Sequence, residues 1–171
     1  MRKIGLAFLA LALVAGAASA VDLTPLQIGI WGPKAQLFPG QTRVMGLRLN
    51  LAMSDNQEVV GFDLGLASRA TTAKAIQANL VNLVKEDFAG VGVGLFNQVG
   101  SAAGLQAGLF NTVEHDVSGF QVGLFNMADS VEGIQIGLLN RTTSMRGLQI
   151  GLVNLIEEGP VTFFPILNAA F

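Results

Sequence analysis

One seven-residue pattern recurs along most of this chain and limits its possible folds more than any other feature. It stands as LQIGIWG (26–32), LRLNLAM (47–53), FDLGLAS (62–68), IQANLVN (76–82), VGVGLFN (91–97), LQAGLFN (105–111), FQVGLFN (120–126), IQIGLLN (134–140) and LQIGLVN (148–154). A degenerate tenth, TFFPILN, follows at 162–168. From residue 47 onward the copies begin 14 or 15 residues apart. Tandem units this short mean that one small element is stacked or circled many times.

The element is a strand. The first, third and fifth places of the unit are apolar, as in Ile134, Ile136 and Leu138, and Gln135 and Gly137 stand between them. That is period two. A helix needs apolar residues three and four apart and loses roughly 1 kcal/mol at each interior glycine. The polar clusters between units, such as Glu114-His115-Asp116 and Glu157-Glu158, read as turns or loops. A glycine precedes many units (Gly104, Gly119, Gly133) and another falls inside them (Gly108, Gly123, Gly137). Glycine weakens a strand unless something packs closely against it. An Asn closes most units, which suits a strand end because its amide can bond nearby backbone. The chain is therefore expected to be all-β.

Two architectures can stack such strands. The first is a small antiparallel, outer-membrane-type β-barrel of about eight to ten short strands built from the 14–15-residue repeats. Val131–Arg141 is as long as a tilted membrane strand, which takes ~9–11 residues. The apolar triplets would face lipid, making outer-membrane lipid and the barrel-assembly machinery the expected partners. Apolar residues alternate toward the terminal Phe171, like the C-terminal assembly signal of Gram-negative outer-membrane barrels. Against the barrel, there is no Tyr and only one Trp to furnish an aromatic girdle. Its interior of Gly, Gln and Phe also implies a packed or narrow lumen.

The second architecture is a parallel β-solenoid with one repeat per coil. Gln77, Gln106, Gln121, Gln135 and Gln149 would then form one ladder, and the closing Asn residues, among them Asn111, Asn126, Asn140 and Asn154, another. Only like-on-like stacking rewards repeating the same polar residue. If its first, third and fifth places point inward, the usually apolar sixth place points outward as an exposed stripe. The last unit also ends close to the terminus, leaving an edge without a cap. The barrel, as a structural or interaction protein of the outer membrane or cell surface, is the leading expectation, and the alternative is a secreted solenoid module whose Gln/Gly face and turns bind another surface molecule.

The N-terminus reads as an export signal. Arg2 and Lys3 precede an apolar run from Ile4 to Ala15 and small residues ending Ala18-Ser19-Ala20. Residues 1–20 are thus expected to be a cleaved signal peptide and 21–171 a single β-repeat domain in the cell envelope, at the outer membrane or surface. Removing Arg2 and Lys3 leaves eight basic residues against twelve acidic ones, a balance of −4. Nucleic acid is a poor partner for that charge, because a phosphate backbone needs a basic stripe. There is no cysteine, hence no disulfide or thiol chemistry.

The units GLQIGLVN and GFQVGLFN, with the terminal FFPILNAAF, resemble a family of Gram-negative surface-repeat proteins that carry tandem GLQIGLxN units behind a signal peptide. The resemblance is best from Gly90 to Phe171. In the units at Leu47 and Phe62, Arg48 and Asp63 replace the Gln. The resemblance implies a cell-envelope location and supplies no catalytic residue.

Nothing in the sequence assembles a reaction centre. His115 is the sole histidine and sits in a charged turn, whereas a metal site needs several convergent ligands. A hydrolytic triad would need that same residue. Glu86-Asp87 and Glu157-Glu158 read as solvated turns. No cofactor and no enzymatic activity are expected. Arg48 and Asp63 occupy equivalent places in adjacent units, which allows either an ion pair inside the fold or two separately solvated groups.

Overall fold

The structure, a computed structural model, describes residues 22–171. The signal expected at 1–20 lies outside them. The strands are β1 (Leu23–Gly29), β2 (Arg43–Val93), β3 (Phe96–Ala107), β4 (Phe110–Val113), β5 (Asp116–Val122), β6 (Phe125–Ile136), β7 (Leu139–Ile156) and β8 (Phe163–Ala170). The all-β expectation holds. The architecture is a parallel β-solenoid and not the expected antiparallel barrel. From β1 to β7 the pairings are parallel: β1 to β2, β2 to β3, β3 to β4 and β5, these to β6, and β6 to β7.

The register explains why. Asn97 pairs with Asn111, Gln106 with Gln121, and Gly119 with Gly133. Each residue meets its own equivalent one repeat on, which parallel strands allow and antiparallel ones do not. β2 winds as well. A straight strand of 51 residues would reach ~170 Å, yet Arg48 and Asp63 within it lie 2.7 Å apart.

The glycine that precedes most units makes the coils fit. Gly104, Gly119 and Gly133 have φ of 124°, 136° and 146°, a region other residues avoid. A Cβ on Gly119 would stand 2.1 Å from the carbonyl oxygen of Gly104. The backbone kinks at the same place in successive coils from Gly90 to Gly147, and the kinks nest.

Two findings correct the solenoid alternative as well. The first, third and fifth places point outward. In the last unit Gln149 and Asn154 are fully buried, whereas Ile150 and Leu152 are exposed, so the Gln face expected to bind a surface molecule is the interior of the solenoid. The apolar core is built from residues between the units: Val84, Val99 and Val113 follow a closing Asn, and Phe88, Ala102, Val117 and Val131 precede a unit. The other correction concerns the last edge. The degenerate tenth unit is not another parallel coil. It forms β8, which runs antiparallel against β7, pairing Gly147 with Ala170 and Leu155 with Phe163, and so covers the edge of the final coil. Ile166 takes φ 73° in that strand, the only non-glycine residue with positive φ among the described residues.

Candidate functional site

An amide spine runs through the interior. Asn82 donates its Nδ2 to Oδ1 of Asn97, Asn97 to Asn111, Asn111 to Asn126, Asn126 to Asn140 and Asn140 to Asn154, each at 2.8 Å. The same Nδ2 atoms also donate to backbone carbonyls, those of Val93, Ala107, Val122, Ile136 and Ile150. Because only the NH2 end can face a carbonyl, this second bond fixes the orientation of every amide. The glycine inside the unit leaves room for it: a Cβ on Gly123 would stand 2.7 Å from Nδ2 of Asn111.

The glutamines form a second ladder running the other way. Gln121 donates to Gln106 at 3.0 Å, Gln135 to Gln121 at 2.7 Å and Gln149 to Gln135 at 2.8 Å. Donors point toward the C-terminus in the Asn ladder and toward the N-terminus in the Gln ladder. The summed side-chain dipoles of the two ladders therefore oppose one another along the axis. The Gln ladder's ends are visible as an unpartnered Nε2 on Gln106 and an unpartnered Oε1 on Gln149. The ladder stops at Gln106 because Gly92 holds the Gln place in the preceding coil. The Phe88 ring fills the gap, 3.3 Å from where a Cβ on Gly92 would stand.

The early coils use the same column differently. Arg48 and Asp63 form a fully buried ion pair, of the two arrangements the sequence allows. It is bidentate: Arg48 Nε donates to Oδ1 of Asp63 at 2.9 Å and Nη2 to Oδ2 at 2.7 Å. Arg48 also donates to Ser68 Oγ, to Asn56 and to the Arg69 carbonyl. Asp63 accepts from Ser68 at 2.5 Å, Asn50 at 2.6 Å and Gln77 at 2.7 Å. Burial pushes the Asp63 carboxyl upward, but the hydrogen bonds and charge of Arg48, with those of Ser68 and Asn50, outweigh it and hold the group below the usual carboxylate range. Asn50 reaches past the side-chain-less Gly65 to Asn79, and Asn79 bonds Asn82. One hydrogen-bonded path thus runs from Arg48 to Asn154.

With the amides inside, the apolar places are outside. The fifth-place leucines form a column of which Leu95, Leu109 and Leu124 are 41–42% exposed and Leu152 is 66% exposed. Phe62, Ile76, Phe120, Ile136 and Ile150 are exposed on the facet before it. On the facet after it, Phe96, Phe110 and Phe125 stack with ring centroids 5.0 and 4.9 Å apart and planes within 2–3° of parallel. Charge gathers elsewhere on the coils, where Glu58 pairs with Arg43 at 2.5 Å and Glu157 with Arg141 at 2.6 Å.

The remaining sequence candidates do not converge. Glu114, His115 and Asp116 are exposed at a turn between β4 and β5. Among the described residues no group of three or more His, Cys, Asp or Glu side chains could hold a metal ion. Phe171 follows β8 and is 93% exposed; its reading as an assembly signal rested on the barrel. Among the described residues no helix is long and apolar enough to cross a membrane. The apolar core residues Val99, Val113, Val117 and Val131 were hidden in the sequence because they sit singly among polar and charged residues between the units.

Comparison of the chain with protein-family models, with curated proteins and with solved structures found no match to any of them.

Proposed function

We propose that this chain is an exported, non-enzymatic β-solenoid repeat module of the cell envelope, which attaches to another envelope component through its apolar outer surface. One observation carries the reading. The fold buries its amides and leaves its leucines, isoleucines and phenylalanines in the open, along the full run of repeats. Soluble monomers rarely expose contiguous apolar patches beyond a few hundred Å², and larger ones mark interaction sites. The amide ladders supply the rigid axis that keeps these rows aligned. The basic start and apolar run of residues 1–20 support export.

The test is fractionation of the full chain expressed in a Gram-negative host, with gel migration of boiled and unboiled samples. The reading expects recovery with the envelope, release by detergent, and no heat-dependent shift. Ile136→Asp places a charge on the outer facet without touching the interior, and should fold yet leave the envelope fraction. Cytoplasmic retention of the parent chain would count against export. A heat-dependent shift would restore the barrel.

A further inference from the structure

The apolar surface is a wedge with two facets and a crest. The first facet holds the first and third places of the unit, the second holds the sixth, and the fifth-place leucines lie on the corner between them, where β3 gives way to β4 and β5 to β6. From Phe62 to Val153 no charged residue stands at any of these places. The crest backbone is paired along the axis: Leu109 N donates to the Leu95 carbonyl, Leu124 N to Leu109, and Leu138 N to Leu124, at 2.9–3.0 Å. Arg69 and Arg141 stand two residues past a sixth place, at the border of the second facet, and Lys85, Glu86, Glu114, Asp116 and Glu132 lie away from these places along the coils.

We infer that the wedge inserts into the hydrocarbon of a single lipid leaflet, so that the solenoid lies along a membrane surface with its charged side in water. This rests on the proposed envelope role and names the partner. Convexity favours lipid over a second copy of this chain: a rigid sheet pressed against one facet leaves the other bare, whereas fluid acyl chains cover both. The paired backbone meets the requirement that hydrocarbon imposes on any chain within it. Apolar faces of interfacial elements sink ~5–10 Å, well within one leaflet of a ~30 Å hydrocarbon core. Trp31, 76% exposed, lines a groove with Lys34, Ala52 and Met53 at the N-terminal end of the second facet, an amphipathic ring beside a cation, as suits the interface. From Phe62 to Val153 no cation stands at the first, third, fifth or sixth places, so insertion there follows apolar area and not headgroup charge.

The experiment places one tryptophan on the wedge or off it. Full-length chains carrying Trp31→Phe with either Phe110→Trp or His115→Trp are mixed with phosphatidylcholine vesicles brominated on the acyl chains. Far-UV circular dichroism verifies that both fold like the parent. The inference expects emission at position 110 to be quenched several-fold more than at position 115, at low and high salt alike. The two variants share their N-terminus, so attachment through residues 1–20 alone would quench neither, and that would overturn the inference. Equal quenching would overturn it too. A dimer in sedimentation whose position-110 emission is already blue-shifted without vesicles would show that a second copy covers the wedge. Envelope recovery of the parent without quenching would remove the lipid partner and leave the attached-module reading standing.

Discussion

The interior column that holds Gln106, Gln121, Gln135 and Gln149 in the later coils holds Arg48, Asp63 and Gln77 in the early ones. Both versions are buried and hydrogen-bonded, yet they do different work. The later coils repeat one neutral amide, so each partner is interchangeable with the next. A slip by one whole repeat would still set Gln against Gln and Asn against Asn. The early coils use residues that occur once. Arg48 needs Asp63, and Asp63 accepts from Arg48 on one side and Gln77 on the other. A slip there strands two buried charges. The ionic cluster therefore fixes the register, and the amide ladders extend it.

The sharpest way to break this comparison is to remove Asp63. Asp63→Ala leaves a buried guanidinium unpaired and should cost ~3–5 kcal/mol. Since repeat arrays unfold by neighbouring units, hydrogen exchange should accelerate in β1 and early β2 while β6 and β7 stay protected. Uniform loss across all strands would contradict a local cluster. Arg48→Met with Asp63→Leu removes both charges, and should recover most of the stability but slip in register more readily, measured as heterogeneous exchange in β2.

Acid probes the same contrast with the native sequence. The folded carboxyl of Asp63 lies below its unfolded value of ~3.9. Its contribution is complete at neutral pH and is lost as pH falls below ~4 toward the folded value. Melting of the parent minus that of Asp63→Asn should therefore be constant near neutrality and shrink in stronger acid. A difference that does not change with pH would refute the depressed carboxyl.

Changes in the neutral ladders should be milder. Asn126→Ala deletes both its bonds within the spine and the one to Ile136 O, and should cost ~2 kcal/mol, since a buried unpaired group costs ~1–3. Gln135→Ala should cost ~1–2 kcal/mol, because Gln149 keeps the Leu155 carbonyl as a second acceptor. Urea unfolding of both would check the ranking below Asp63→Ala. Phe110→Ala comes last. Its ring is half exposed, so losing its two stacking partners should cost at most ~1 kcal/mol, read by the same unfolding curves. A larger effect would mean the outer Phe column supports the fold as well as the wedge.

Much of this was legible in the residues. The period of 14–15 and the alternation within each unit dictated short strands in tandem, and the repeated Gln and Asn marked what would ladder if the strands were parallel. The paired glycines announced a close approach of neighbouring backbone. The singular Arg48 and Asp63 stood out against the repeat, although their meeting depended on a register that composition does not show. The apolar core between the units was missed, because Val113 and Val117 flank Glu114-His115-Asp116 and Val99 lies between Gln98 and Gly100-Ser101, surroundings that speak for exposed turns.

The sequence by itself determined that this chain is all-β, that its strands recur every 14 or 15 residues, and which residues each repeat would place on a common face. Only the tertiary structure decided which face is inside. Alternation defines two faces, and hydrophobicity ordinarily tells which one is buried. Here a coil of one repeat returns each amide to within hydrogen-bond reach of its own copy, about one strand spacing of ~4.8 Å away. Satisfied by their neighbours, Gln and Asn lose little on burial, and the apolar face is left exposed.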